Sequence, residues 1–154
     1  MTLRLSSPQW KRGETIPKKY TGDGADASPP LVFESVPAGT KSFALICDDP
    51  DAPVGTWVHW VLYDVPGTAK GLPEGVPTGP SLPDGSRQGK NGWKTTGYRG
   101  PAPPPGKPHR YFFRLYALKD YLSQAPGLEA REVESAARSK SIEMAEYLGV
   151  YQRP

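Results

Sequence analysis

The sequence predicts a mostly β fold, an antiparallel β-sandwich with short C-terminal helices, built as a single domain over residues 1–154. Three observations carry this. Proline (19 residues) and glycine (17) make up close to a quarter of the chain, about twice ordinary usage, and they alternate with apolar runs instead of collecting in a tail. Hydrophobic residues at 36% and charged residues at 23% suit a packed core of ordinary domain size. Several segments are apolar on both faces, as in strands of a covered sheet, and turn-rich stretches separate them.

In chain order, Leu3–Ser6 reads as a short opening strand. Gly22–Pro30 is turn-rich and leads to a second short strand, Leu31–Phe33. Lys41–Asp48 and Trp57–Val65 are core strands. In the latter a period of two puts Trp57, His59, Val61 and Tyr63 on one face. Pro66–Pro83 and Asp84–Pro108 are long loops. His109–Leu118, rich in aromatic residues and preceded by prolines, is the third core strand. Glu129–Leu148 has helical composition, with Val133, Ala136 and Ala137 sharing one face and Ile142, Ala145 and Leu148 another. Ser139-Lys140-Ser141 divides it into two short helices, the second stopped by Gly149. Val150–Gln152 is a closing strand.

Charge and punctuation exclude several classes. The net charge is +3, but the basic residues fall in scattered pairs, Lys11-Arg12 and Lys18-Lys19, which leave no nucleic-acid footprint. Cys47 is the single cysteine, so no intrachain disulfide forms. The start of the chain lacks the apolar stretch of a signal peptide, and no run approaches the ~20 apolar residues that span a bilayer. A cytoplasmic protein without a transmembrane segment is expected.

The chemistry gathers around the chain's two histidines. His59 follows Asp49-Pro50-Asp51-Ala52-Pro53, and His109 closes the run from Gly100 through Pro108. Imidazole changes charge near neutral pH. Asp49 and Asp51 sit where a core strand runs out, and Tyr111 lies two residues beyond His109 on the same face. Acids, histidines and a phenol at strand ends suit a ligand mouth. The prolines remove backbone freedom, so the loop can aim its few amides at an anion, with Gly100 and Gly106 supplying turns and close approach. Two plainer readings compete. His59 can be a core histidine bonded to a backbone carbonyl, and the proline run can be a rigid spacer or SH3 ligand. The second is disfavoured because the run feeds directly into a core strand.

Asp49-Pro50-Asp51-Ala52-Pro53, Trp57-Val58-His59-Trp60 and Gly100-Pro101-Ala102-Pro103-Pro104-Pro105-Gly106 with His109-Arg110-Tyr111 together resemble the phosphatidylethanolamine-binding protein family, also called Raf kinase inhibitor protein-like. Ile16-Pro17-Lys18-Lys19-Tyr20, Ser28-Pro29-Pro30, Val36-Pro37 and Gly149-Val150-Tyr151-Gln152-Arg153 extend the likeness across nearly the whole chain. The short spacing from Asp49 to His59 is similar to the prokaryotic branch.

The resemblance implies a β-sandwich with a small anion pocket at one end. Asp49, Pro53 and His59 would form one wall and Ala102, Pro103, His109 and Tyr111 the other, with Asp49 orienting a histidine. Phosphate, acetate or a phospholipid headgroup is the implied ligand, with no cofactor and no metal. The implied role is non-catalytic binding, with modulation of a kinase or protease partner, and a homodimer is compatible with it. The family's structures also imply a cis Ala52–Pro53 bond. Ala102 stands where animal members carry glycine and many bacterial ones cysteine, and Gly22 stands where a cysteine is common. The alternative is an enzyme, an Asp/His-dependent hydrolase or a metal enzyme, since Asp49, His59 and His109 could serve as acid and base or as a metal facial triad.

Overall fold

The computed structural model describes residues 2–154. Its architecture follows from strands whose two faces are both apolar. In β3 (Ser42–Asp49), Phe43, Leu45 and Cys47 point to one side and Ala44 and Ile46 to the other, each at most 2% exposed. A strand of this kind needs cover on both sides. One side is covered by a second sheet, the other by a helix. Full burial of a side chain such as Phe43 or Leu45 contributes about 1.5–3 kcal/mol.

Naming the other strands in chain order, β1 is Arg4–Ser6, β2 is Leu31–Glu34, β4 is Trp57–Pro66, β5 is Gly71–Leu72, β6 is Arg87–Gln88, β7 is His109–Leu118 and β8 is Ser141–Tyr151. The large sheet runs β6-β4-β3-β7-β8 and the small one β1-β2-β5, and every pairing is antiparallel. Leu3, Leu5, Leu31 and Phe33 pack from the small-sheet side against Phe43, Leu45, Trp60, Phe113 and Leu115. The helix α1 (Ala130–Lys140) lays Val133 and Ala137 on Ala44, Ile46, Val61 and Tyr116. The fold is therefore a mostly β sandwich with one C-terminal helix. No helix among the described residues is long and apolar enough to cross a membrane.

The second expected helix is a strand. Glu129 caps α1 in a reciprocal capping box with Glu132, and the helix stops at Lys140. From Ser141 the chain is extended and pairs with β7 along its length. The period that matters there is two: Ala145, Tyr147 and Tyr151 are buried on the inner face, while Met144 is exposed on the outer one. Composition favoured helix, but pairing with β7 and burial of two tyrosines outweigh a propensity difference of a few tenths of a kcal/mol per residue. Gly149 is a strand residue, not a helix stop. A Cβ there would lie 2.4 Å from Ile16 Cγ1 and 2.6 Å from Trp10 Nε1, so glycine lets these side chains close on the sheet.

Two finer expectations also fail. No cis peptide bond occurs among the described residues, so Ala52–Pro53 is trans. The turn closes instead through Gly55 N–H donating to the Ala52 carbonyl at 3.0 Å, with Gly55 at φ +102° making the reversal. His59, moreover, does not share a face with Val61 and Tyr63. Cys47 pairs with Trp60 and Asp48 with Val58, so His59 is the extra residue of a β-bulge. Val61 and Tyr63 face α1, and His59 turns to the opposite side of the sheet.

Candidate functional site

The bulge brings His59 to the same end of the sandwich as the start of β7. Its ring lies edge-on to Tyr111, with centroids 5.2 Å apart at 78°, and edge-on to Trp93 at 5.3 Å and 71°. It is 3% exposed. Nδ1 sits 2.6 Å from the carbonyl oxygen of Arg99. A carbonyl only accepts, so Nδ1 carries the proton and the neutral ring presents its Nε2 lone pair. Burial disfavours the cation and lowers the pKa of His59 below the ordinary histidine value. The Arg99 carbonyl and the charges of Asp49 and Asp26 oppose this only in part.

His109 begins β7, and its Nδ1 donates to Asp49 Oδ2 at 2.7 Å. Asp49 ends β3 and is 3% exposed. Its other oxygen accepts the Asp51 N–H at 2.7 Å, so both oxygens have partners. Asp51 in turn accepts from Arg110 N at 2.9 Å, Nε at 2.9 Å and Nη2 at 2.8 Å. Those bonds to the guanidinium hold its pKa down at about 2. The clip ties the loop after β3 to the first residues of β7. Tyr111, 1% exposed, has its phenol pKa raised by burial first and by the Asp49 charge second.

The proline run also lines the site, held by two other segments. Gly22 N–H donates to the Pro101 carbonyl at 2.8 Å, and Gly106 N–H to the Arg153 carbonyl at 3.1 Å. Arg153 donates Nη1 to the Pro103 carbonyl at 3.3 Å and Nη2 to Asp23 Oδ1 at 2.7 Å. Tyr151 Oη donates to Asp23 Oδ2 at 2.8 Å. The loop amides are less available than expected: Gly106's is taken by Arg153 and Gly100's by Asp26 Oδ1 at 2.7 Å.

Together these elements enclose a cavity of about 190 Å³. Asp49, Pro53, His59, Ala102, Pro103, His109 and Tyr111, the seven residues singled out from the sequence, all line it. Neither Nε2 has a protein partner, and no buried side-chain nitrogen or oxygen among the described residues lacks one, so both Nε2 atoms open to the cavity. The site thus offers two imidazoles from different strands, each with its tautomer fixed.

Sequence reasoning missed Trp57, Trp93, Val54 and Pro104, which line the same cavity. Trp57 and Trp93 stand T-shaped at 5.4 Å and 87°, with the Arg99 guanidinium 4.7 Å over Trp93. Val54 is 81% exposed at the rim. The available signal was Trp93 itself, a large aromatic in the otherwise polar, turn-rich stretch Lys90–Thr96, where no core strand calls for it. Arg99 carried no signal, because it contributes a backbone carbonyl.

The chain as a whole is similar to several known proteins. A UPF0098 protein of Methanothermobacter thermautotrophicus is 51% identical over 138 residues, covering 90% of this chain and 91% of the relative. A UPF0098 protein of Aquifex aeolicus is 46% identical over 153 residues, covering 98% of this chain and 89% of the relative. The crystal structure of Escherichia coli YbcL, described as a member of the mammalian family of this fold, superposes with a TM-score of 0.91 at 33% identity, covering 100% of both chains. A homologue from Chlamydia trachomatis superposes with a TM-score of 0.90 at 35% identity, covering 99% of each chain. The family model for phosphatidylethanolamine-binding protein matches residues 6–152, and the chain belongs to that family.

Proposed function

We propose that this protein is a non-catalytic binding protein whose pocket takes a small anion, phosphate or a phosphorylated headgroup, and that it acts by modulating a protein partner such as a kinase or protease. One observation carries the reading. His59 and His109, from different strands, each commit Nδ1 to the protein and leave Nε2 to one cavity. Rings held this way meet an anion with no ordering of the side chains on binding, and the His109 ring, backed by Asp49, donates to an oxyanion once it is protonated. The partner class comes from the resemblance, and the cytoplasmic setting from the single cysteine and the sequence's lack of a signal-peptide or membrane-spanning apolar stretch.

Phosphate tests it. A ligand that binds only the native state stabilises it by RT ln(1 + [L]/Kd). Inorganic phosphate is expected to raise the melting temperature, more at about pH 6 than at about pH 8. The response is expected to vanish in the His59→Ala/His109→Ala double variant. A normal response in that variant removes the histidines from the site.

The Asp49–His109 contact at 2.7 Å supports one other reading, in which the pair acts as a general base on a water molecule. Among the described residues, no serine, threonine or cysteine lines the cavity to serve as a nucleophile. Turnover of phosphate or carboxylate esters that is lost in His109→Ala would favour that reading over simple binding.

A further inference from the structure

We propose that the pocket selects oxyanions that bring their own proton, such as a phosphomonoester monoanion or dihydrogen phosphate, over phosphodiesters such as an intact phospholipid headgroup. The inference rests on the anion-pocket reading above and narrows its ligand class.

The argument starts from what His59 can do. Its Nδ1–H is spent on the Arg99 carbonyl at 2.6 Å, so its remaining nitrogen is a lone pair unless the ring takes a second proton. The ring is 3% exposed and wedged between Tyr111 and Trp93. Charged groups approach it from each packed element, but none bonds its Nε2. Asp49, at the end of β3, is committed to His109 Nδ1 and to the Asp51 amide. Asp26, in the loop before β2, is committed to the Gly100 amide. The Arg99 guanidinium lies over Trp93, and Tyr111 and His109 come from β7. A second proton on His59 finds no acceptor in hydrogen-bonding geometry among the described residues, and burial, which outweighs the Arg99 and Gly100 backbone groups and the Asp49 and Asp26 charges, disfavours the resulting charge.

A tetrahedral anion seated in the cavity thus meets a hydrogen-bond acceptor at His59 Nε2 and, from the same lining, the His109 ring backed by the Asp49 carboxylate. A P–OH group donates to His59, while a second ligand oxygen accepts from His109 when that ring carries a proton on Nε2. A diester monoanion has no P–OH. Its bare oxygens then face the lone pair of a buried nitrogen. Sites built to bond a ligand hydroxyl reject analogues that lack it, because the site's own polar group is left unpaired.

The test is calorimetric titration of the wild-type protein with methyl phosphate, dimethyl phosphate and glycerophosphoethanolamine, the last being the diester headgroup without its lipid chains. The second ionisation of a phosphomonoester falls at about pH 6, so half of it still carries P–OH there and little does at about pH 8. Methyl phosphate is expected to bind at least about tenfold more tightly than either diester at the lower pH, with the ratio shrinking at the higher one. Equal affinity for a diester at the lower pH overturns the inference and leaves the anion pocket standing. No binding of any of the three overturns both. In His59→Gln the side-chain amide can turn a donor to the ligand, so the monoester-to-diester ratio is expected to collapse towards one. Imidazole ¹H–¹⁵N correlation spectra of the unliganded wild type give an answer that needs no variant. The proton is expected on His59 Nδ1 alone, and a proton on its Nε2 near neutral pH overturns the inference.

Discussion

The Nδ1 of His59 lies 2.6 Å from the carbonyl oxygen of Arg99, so a backbone carbonyl, not a carboxylate, fixes the tautomer of the more deeply buried histidine. The carboxylate of the site, Asp49, goes to the other histidine. One imidazole is thereby tied to a neutral partner and one to an anionic partner, within the same cavity. The pocket is chemically asymmetric. The core-histidine reading of His59 is realised at Nδ1, while its Nε2 is left to the cavity.

This asymmetry gives stability a pH dependence. His59 has a lowered pKa in the folded protein, while in the unfolded chain it titrates at the ordinary histidine value of about 6.5. Just below that value the unfolded state binds more protons than the native state. Stability therefore rises with pH across this window and is lost as pH falls below about 6.5. Denaturant midpoints measured from about pH 7.5 down to pH 5.5 are expected to decline, and His59→Gln should flatten that decline. An unchanged slope in the variant would assign it to other groups.

Gly149 tests the strand that replaced the expected helix. In β8 a methyl added at this position meets Ile16 and Trp10 at 2.4 and 2.6 Å, well inside contact distance. Overpacking of this kind costs about 1–3 kcal/mol. Gly149→Ala is expected to lower the melting temperature, and a rise would contradict the packing described.

The sequence revealed those parts of the fold in which local pattern and tertiary context agree. Ser42–Asp49, Trp57–Pro66 and His109–Leu118 are apolar on both faces, and each was legible to within a residue or so at either end. Ser141–Tyr151 was not, because alanine, glutamate and methionine favour helix and only pairing with β7 makes it a strand. β5 and β6 have two residues each, too few to show a period. The bulge at His59 was hidden for a related reason: it depends on the register with β3, which no feature of β4 alone encodes. All seven site residues chosen from the sequence line one cavity because they come with rigid proline motifs at strand ends. Trp93 arrives from a loop whose path only the fold sets.

Asp51 offers a direct reading of the clip beside the site. Its pKa is held at about 2 by Arg110, against 3.8 for an unperturbed aspartate. In carboxyl-detected NMR titration Asp51 is expected to return towards that ordinary value in Arg110→Ala. The native protein gains stability from the pair above the unfolded value and loses it as pH falls towards the folded one. The stability change near neutral pH should be small, since Arg110 is more than half exposed and exposed pairs contribute little. A normal Asp51 pKa in the wild type would mean that the clip does not hold in solution.

The C-terminal arm and the Thr21–Gly24 turn hold the proline loop that walls the pocket, and this arrangement can be loosened and then restored. Arg153 bridges Asp23 and the Pro103 carbonyl, while Gly22 donates to the Pro101 carbonyl. Arg153→Ala removes the bridge at a half-buried position, so it is expected to weaken phosphate binding with only a modest loss of stability. A second link is available nearby. A Cβ on Gly22 would lie 3.2 Å from Ala102 Cβ, a few tenths of an ångström inside the usual disulfide range of about 3.5–4.5 Å. Gly22→Cys/Ala102→Cys is therefore expected to oxidise spontaneously, with free thiol falling to Cys47 alone, which is buried. Closing a loop of about 80 residues should add roughly 2–4 kcal/mol. Placed in the Arg153→Ala background, the disulfide should recover part of the lost phosphate response under oxidising conditions and lose it again on reduction. A response insensitive to both changes would show that the wall keeps its position without the arm.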